Sequence, residues 1–250
     1  VTDAFGNALA GQTVSVMADN GAAVASTVTT KPDGTVEISV TSQTAGISVV
    51  TASINNSIQS QNVTFVADVR TAQIADLVVT QDGSVADGST ANTLRVRVTD
   101  AFGNALAGQT VSVMADNGAA VASTVTTKPD GTVEISVTSQ TAGISVVTAS
   151  INNSIQSQNV TFVADVRTAQ IADLVVTQDG SVADGSTANT LRVRVTDAFG
   201  NALAGQTVSV MAGNGATVSP TVTTEPDGTV EISVTSQTAG TSAVTATINC

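Results

Sequence analysis

The side chains that ordinarily do acid-base, nucleophilic or redox chemistry are almost missing from this chain. It holds no His, Tyr or Trp, its one cysteine is Cys250, and its lysines are Lys31 and Lys128. With that inventory the usual pairings of a nucleophile and a base cannot be assembled, and only two carboxylates acting together remain as a catalytic option. Glu37, Glu134 and Glu231 recur at one position of a repeat, on a strand surface, and no second acid is spaced to close a cleft with them. The expectation is a protein that is not an enzyme, with no catalytic, cofactor-binding or metal-ligating residue and no cofactor.

Other motifs have plain explanations in turn and surface chemistry. Gly103-Asn-Ala-Leu-Ala-Gly108-Gln109-Thr110 has the glycine spacing of a phosphate loop, but Gln109 stands where a lysine is required and a strand follows instead of a helix. Asp179 and Asp184 lie in one loop, with Asp165 or Asp173 nearby, and such oxygens suit calcium; the loop lacks the alternating spacing of a calcium site, so metal-free Asp-Gly turns are expected. Asn55-Asn-Ser57 and Asn62-Val-Thr64 match glycosylation acceptors but read as polar turn and strand residues. Arg95 and Arg97 share a strand face, where a cross-strand pair with Glu134 is expected. Phe102 is expected to cap the sandwich end or the joint between repeats, and Phe162 to be core.

The elements that carry these residues come in copies. Residues 1–97 recur unchanged as residues 98–194, and a third copy runs from Val195 with nine substitutions. A period of that length makes the chain an array of similar modules. Each is large enough to bury its own core without metal or disulfide. Aromatic residues are 2% and charged residues 11%, and Val, Thr, Ser, Ala and Gly dominate, a palette for strands and tight turns. The net charge of −12 is spread over the copies and disfavours nucleic acid and anionic membrane as partners. Nothing resembles an apolar membrane span, and an export signal is expected outside the chain.

One unit reads as seven alternating runs: Ala75 to Gln81, Thr90 to Thr99, Thr110 to Ala115, Ala120 to Thr127, Thr132 to Ser139, Ile144 to Asn152 and Gln158 to Asp165. Lys128-Pro-Asp-Gly131 supplies a hairpin turn between two of them. The pattern predicts an all-β fold of tandem antiparallel β-sandwiches in an elongated array, of immunoglobulin-like type. The joining segments Val69-Arg-Thr-Ala72 and Val166-Arg-Thr-Ala169 are too short for free rotation, so modules should stack as a stiff rod. The expected division is a partial module over 1–68 without its opening strands, a complete one over 69–165, and one over 166–250 without its last strand. The incomplete modules are expected to be the less stable. Cys250 is expected to be a lone thiol able to form covalent dimers.

The run from Asp87 to Val113, Pro129-Asp-Gly-Thr132 and Val147-Thr-Ala149 together resemble the bacterial Ig-like repeats of intimin and invasin. The resemblance implies a non-catalytic stalk of a cell-surface adhesin that spaces a distal binding domain from the outer membrane. It further implies an extracellular location, with the anchor and the domain that meets a host cell or other bacteria lying outside these residues. Two other functions fit the same modules: an array that itself binds a host receptor or glycan by avidity, or a decoration on a phage or virion.

Overall fold

The computed structural model describes residues 1–248. The first copy, counted from here on by the sandwich its strands build and not by the repeat frame, contributes β1 (Thr13–Ala18), β2 (Ala23–Val24), β3 (Thr27–Thr29), β4 (Val40–Thr41), β5 (Gly46–Ile54) and β6 (Ser57–Phe65). The second contributes β7 (Gln73–Gln81), β8 (Asn92–Thr99), β9 (Thr110–Ala115), β10 (Ala120–Val121), β11 (Thr124–Thr126), β12 (Thr132–Thr138), β13 (Gly143–Ile151) and β14 (Ser154–Phe162). The third contributes β15 (Gln170–Gln178), β16 (Asn189–Thr196), β17 (Thr207–Ala212), β18 (Thr217–Val218), β19 (Thr221–Thr223), β20 (Thr229–Thr235) and β21 (Val244–Thr247).

The middle copy is a two-sheet antiparallel sandwich, ordered β10-β12-β8-β7 in one sheet and β11-β9-β13-β14 in the other. Alternation of side chains along each strand sends one set inward. Leu94, Val96 and Val98 of β8, Ile135 and Val137 of β12, Val111 of β9 and Val160 of β14 meet there, each nearly or fully buried. Phe162 is in the same core, as its sequence position predicts. The third copy repeats the arrangement around Val193, Val195, Val208 and Ile232.

The structure corrects the strand assignment in two places. The run Ala120 to Thr127 is two strands: β10 pairs with β12 in one sheet, and β11 pairs with β9 in the other. The chain crosses between sheets at Ala122-Ser123, so the middle copy has eight strands and not seven. The last strand begins at Ser154 because Asn152-Asn153 alone turns the β13-β14 hairpin, with Asn152 at φ +53, a left-handed conformation Asn tolerates.

Identical sequences do not reach identical structures here. Thr132–Thr138 forms a full strand because β8 lies beside it, pairing Ile135 with Leu94 and Glu134 with Arg95. The same seven residues at 35–41 have no such neighbour among the described residues, and only Val40–Thr41 is strand. Likewise β14 buries Val160 against the opposite sheet, whereas its copy β6 leaves Val63 36% exposed. Side chains of the hairpin also hold β7: Asn152, Gln156 and Gln158 donate to the carbonyls of Ala72, Ile74 and Leu77, and Ser154 Oγ accepts from the Ile74 N–H. Edge backbone groups that would otherwise be open are thereby satisfied within the sandwich.

Candidate functional site

The most elaborate polar geometry lies where one copy meets the next, in the turn Asp100-Ala-Phe-Gly-Asn104. Asp100 Oδ1 accepts from the backbone N–H groups of Phe102 at 3.0 Å and Asn104 at 2.9 Å. This closes the turn locally, and Gly103 completes it at φ +88, where a Cβ would be strained. The Asn104 side chain is then aimed by Asp100 Oδ2, to which its Nδ2 donates at 2.9 Å.

Held this way, Asn104 reaches back into the preceding copy. Its Nδ2 donates to the Gln43 carbonyl and its Oδ1 accepts from the Ala45 N–H, each at 2.8 Å. Both faces of one amide are used on a single backbone loop, a bidentate clamp. Asp100 adds a further bond by accepting from the Asp68 N–H at 3.0 Å, and the Ala101 N–H donates to Thr71 Oγ1 at 2.9 Å. The segment between is a single 3-10 turn, Val69–Thr71, capped by Asp68 and paired with Arg70 at 2.9 Å.

The second joint reproduces the first. Asn201 clamps the Gln140 carbonyl and the Ala142 N–H at 2.8 Å, and Asp197 accepts from the Asp165 N–H at 3.0 Å. Arg167 pairs with Asp165 at 2.9 Å and also approaches Asp87 of the preceding copy's loop at 3.8 Å. Asp100 and Asp197 are buried at the joints. Burial alone would raise the pKa of Asp100 and Asp197, but the hydrogen bonds from Asp68 or Asp165, Asn104 or Asn201 and the turn amides outweigh it and hold both below the ordinary 3.8.

The other motifs resolve into local structure. Asp184 accepts from the N–H groups of Ser186 and Thr187 and from the Thr187 hydroxyl, which holds its carboxyl well below the usual range, while Asp179 accepts from the Gly180 N–H. Among the described residues no cluster of three or more His, Cys, Asp or Glu is arranged to hold a metal. Gln109 bonds Thr127 and the Ala107 carbonyl in a loop that leads into β9. The expected Arg95–Glu134 pair is a correction: the two are register partners, yet no ion pair forms between them among the described residues. Both side chains are exposed, where pairing gains little. Phe102 is also corrected, standing 63% exposed beside the joint instead of capping it. Asn55 lies in a hairpin turn and Asn62 on β6, and Cys250 lies outside the described residues. Asn104 lies in the Gly103 to Thr110 run that reads as a plain turn in the sequence, and only the backbone loop facing it reveals its function.

Sandwiches of this topology have counterparts in known proteins. Over 236 residues, 88% of this chain, the sequence is 33% identical to the inverse autotransporter adhesin YeeJ of Escherichia coli strain K12. The match spans 10% of that relative's length. The crystal structure of invasin, a bacterial integrin-binding protein, aligns over 99% of this chain and 52% of its own with a TM-score of 0.52 at 25% identity. The Escherichia coli adhesin FdeC aligns over 99% of this chain and 85% of its own with a TM-score of 0.57; at 21% identity it shows the shared fold. The family model for the bacterial Ig-like domain (group 1) matches residues 1–66, 74–163 and 171–250. The relatives are non-enzymatic, and with the family model matched in all three modules this chain belongs to the bacterial Ig-like domain family, group 1.

Proposed function

We infer that the chain is a stalk segment of a bacterial surface adhesin, with modules over 1–68, 69–165 and 166–250 that space a distal binding domain from an outer-membrane anchor. The observation that carries this is the duplicated joint: the same three bonds, at the same distances, tie copy to copy at Asn104 and at Asn201. A connection of one 3-10 turn with a bidentate clamp beside it resists bending, and a spacer needs that property more than any pocket. Perfect duplication fits as well, since what two identical modules add is length. The relatives bear adhesin names, and contact with a host cell or another bacterium would fall to a domain beyond these residues.

Small-angle scattering of the chain tests the spacer directly. Stacked sandwiches of about 35–45 Å each give an elongated particle of about 100–130 Å. A compact or freely jointed particle would remove the stalk reading. In the full-length protein, excision of one 97-residue repeat should leave binding by the isolated distal domain unchanged while shortening the reach from the cell surface.

A further inference from the structure

Charge is segregated between the two sheets of each sandwich. The sheet of β7, β8 and β12 carries Asp76, Arg95, Arg97 and Glu134. The outer face of β9, β11, β13 and β14 carries no charged residue at all, although the chain as a whole has a net charge of −12. On it Met114, Ile144 and Ile155 stand 70%, 57% and 65% exposed among serines and threonines. In the middle, the Thr148 and Ser157 hydroxyls meet at 2.9 Å, and either can donate. The first copy presents the same face, with Met17 70% exposed and the Thr51 and Ser60 hydroxyls at 2.9 Å. In the third, Met211 holds the methionine position at 71% exposure, and Thr241 stands where Ile144 does.

We propose that this neutral, hydroxyl-bearing sheet face is a homotypic contact surface, on which a second copy of this chain docks face to face. Three features select that partner. Two chains of net charge −12 repel overall, and a face without charges lets like copies approach with no local repulsion and no charged side chain to desolvate. Hydroxyls donate and accept equally, so the face is complementary to itself under a two-fold axis, as an isologous interface requires. The face recurs at the 97-residue period, and a partner that matches all of its copies at once has the same period, which multiplies weak single contacts. The rim disfavours edge-to-edge addition at one end of β14, because Asp82 occupies the Thr161 N–H at 2.7 Å and leaves a carboxylate there. This contact goes beyond the spacer: parallel stalks on one cell, or opposed stalks on two, would adhere laterally.

The test is sedimentation velocity of the 250-residue chain over a concentration series at about 0.15 M and about 1 M salt, where the Debye length falls from about 8 Å to about 3 Å. Reversible association that strengthens with salt is expected. The triple variant Met17→Glu, Met114→Glu, Met211→Glu should weaken it at least tenfold. The matched triple Ser39→Glu, Ser136→Glu, Ser233→Glu adds equal charge at exposed positions away from that face and should weaken it far less; circular dichroism checks that both remain folded. A chain that stays monomeric throughout overturns the proposal. So does equal weakening by both triples, which would implicate net charge alone, or association untouched by the methionine triple, which would place the contact elsewhere. The stalk stands or falls separately, on the shape of the monomer.

Discussion

Asn201 Nδ2 donates to the main-chain oxygen of Gln140 at 2.8 Å, across 61 residues of chain and from one sandwich to the next. The same side chain returns a hydrogen bond through Oδ1 to the Ala142 N–H. Because Asp197 grips the amide from behind at 2.9 Å, the rotamer is fixed before the neighbouring loop is met. Such preorganisation makes a joint stiff at small cost in side-chain entropy.

Replacing Asn104 and Asn201 by Ala removes two inter-repeat bonds at each joint, worth about 0.5–1.5 kcal/mol apiece. The sandwiches should stay folded and the joints loosen. Amide exchange at Ala45 and Ala142 should accelerate while the core amides of Val96 and Val193 keep their protection. Unchanged exchange at both alanines would mean that the clamp contributes nothing.

Acid should loosen the joints. Asp100 and Asp197 have folded-state values below 3.8, so their contribution is complete above the unfolded value and is lost as pH falls through 3.8 and below. Scattering between pH 7 and pH 2.5 should show bending at the acid end. Asp100→Asn with Asp197→Asn should flatten that response.

Phe162 is 1% exposed in the middle core, so Phe162→Ala should cost about 3–5 kcal/mol. Phe65, its identical counterpart, is only partly buried, and the same change there should cost much less. Denaturant unfolding of both variants separates the two outcomes.

Exchange in β6 should be at least about tenfold faster than in β14, although the two strands have one sequence, because β14 is pinned to β7 and β6 has no such partner strand among the described residues. Equal protection would contradict the account of β14.

Gly131 takes φ +81, and a Cβ there would lie 2.8 Å from the Val98 carbonyl oxygen. Gly131→Ala should therefore destabilise the middle sandwich by about 1–2 kcal/mol from backbone conformation alone, with the clash added. A melting temperature equal to that of the parent chain would refute this.

The sandwich was legible in the sequence because alternation is a local property: Leu94, Val96 and Val98 announce their face without knowledge of any partner. The division between β10 and β11 was not, since the exchange of sheets at Ala122-Ser123 depends on which strand each half finds to pair with. The run from Gly103 was visible as a turn, yet the clamp function of Asn104 requires a loop 61 residues earlier in the chain. Arg95 and Glu134 show the converse case, where register was predictable and the ion pair did not follow from it.

The central claim is that the clamps hold successive copies in one fixed relation, and pulsed electron resonance between spin labels at Ser39 and Ser136 measures it most directly. These are equivalent exposed positions one repeat apart, and a Cys250→Ser background keeps the labelling specific. A single narrow distance distribution that broadens when Asn104 is changed to Ala is the predicted result. A broad distribution in the parent chain, indifferent to Asn104, would contradict it.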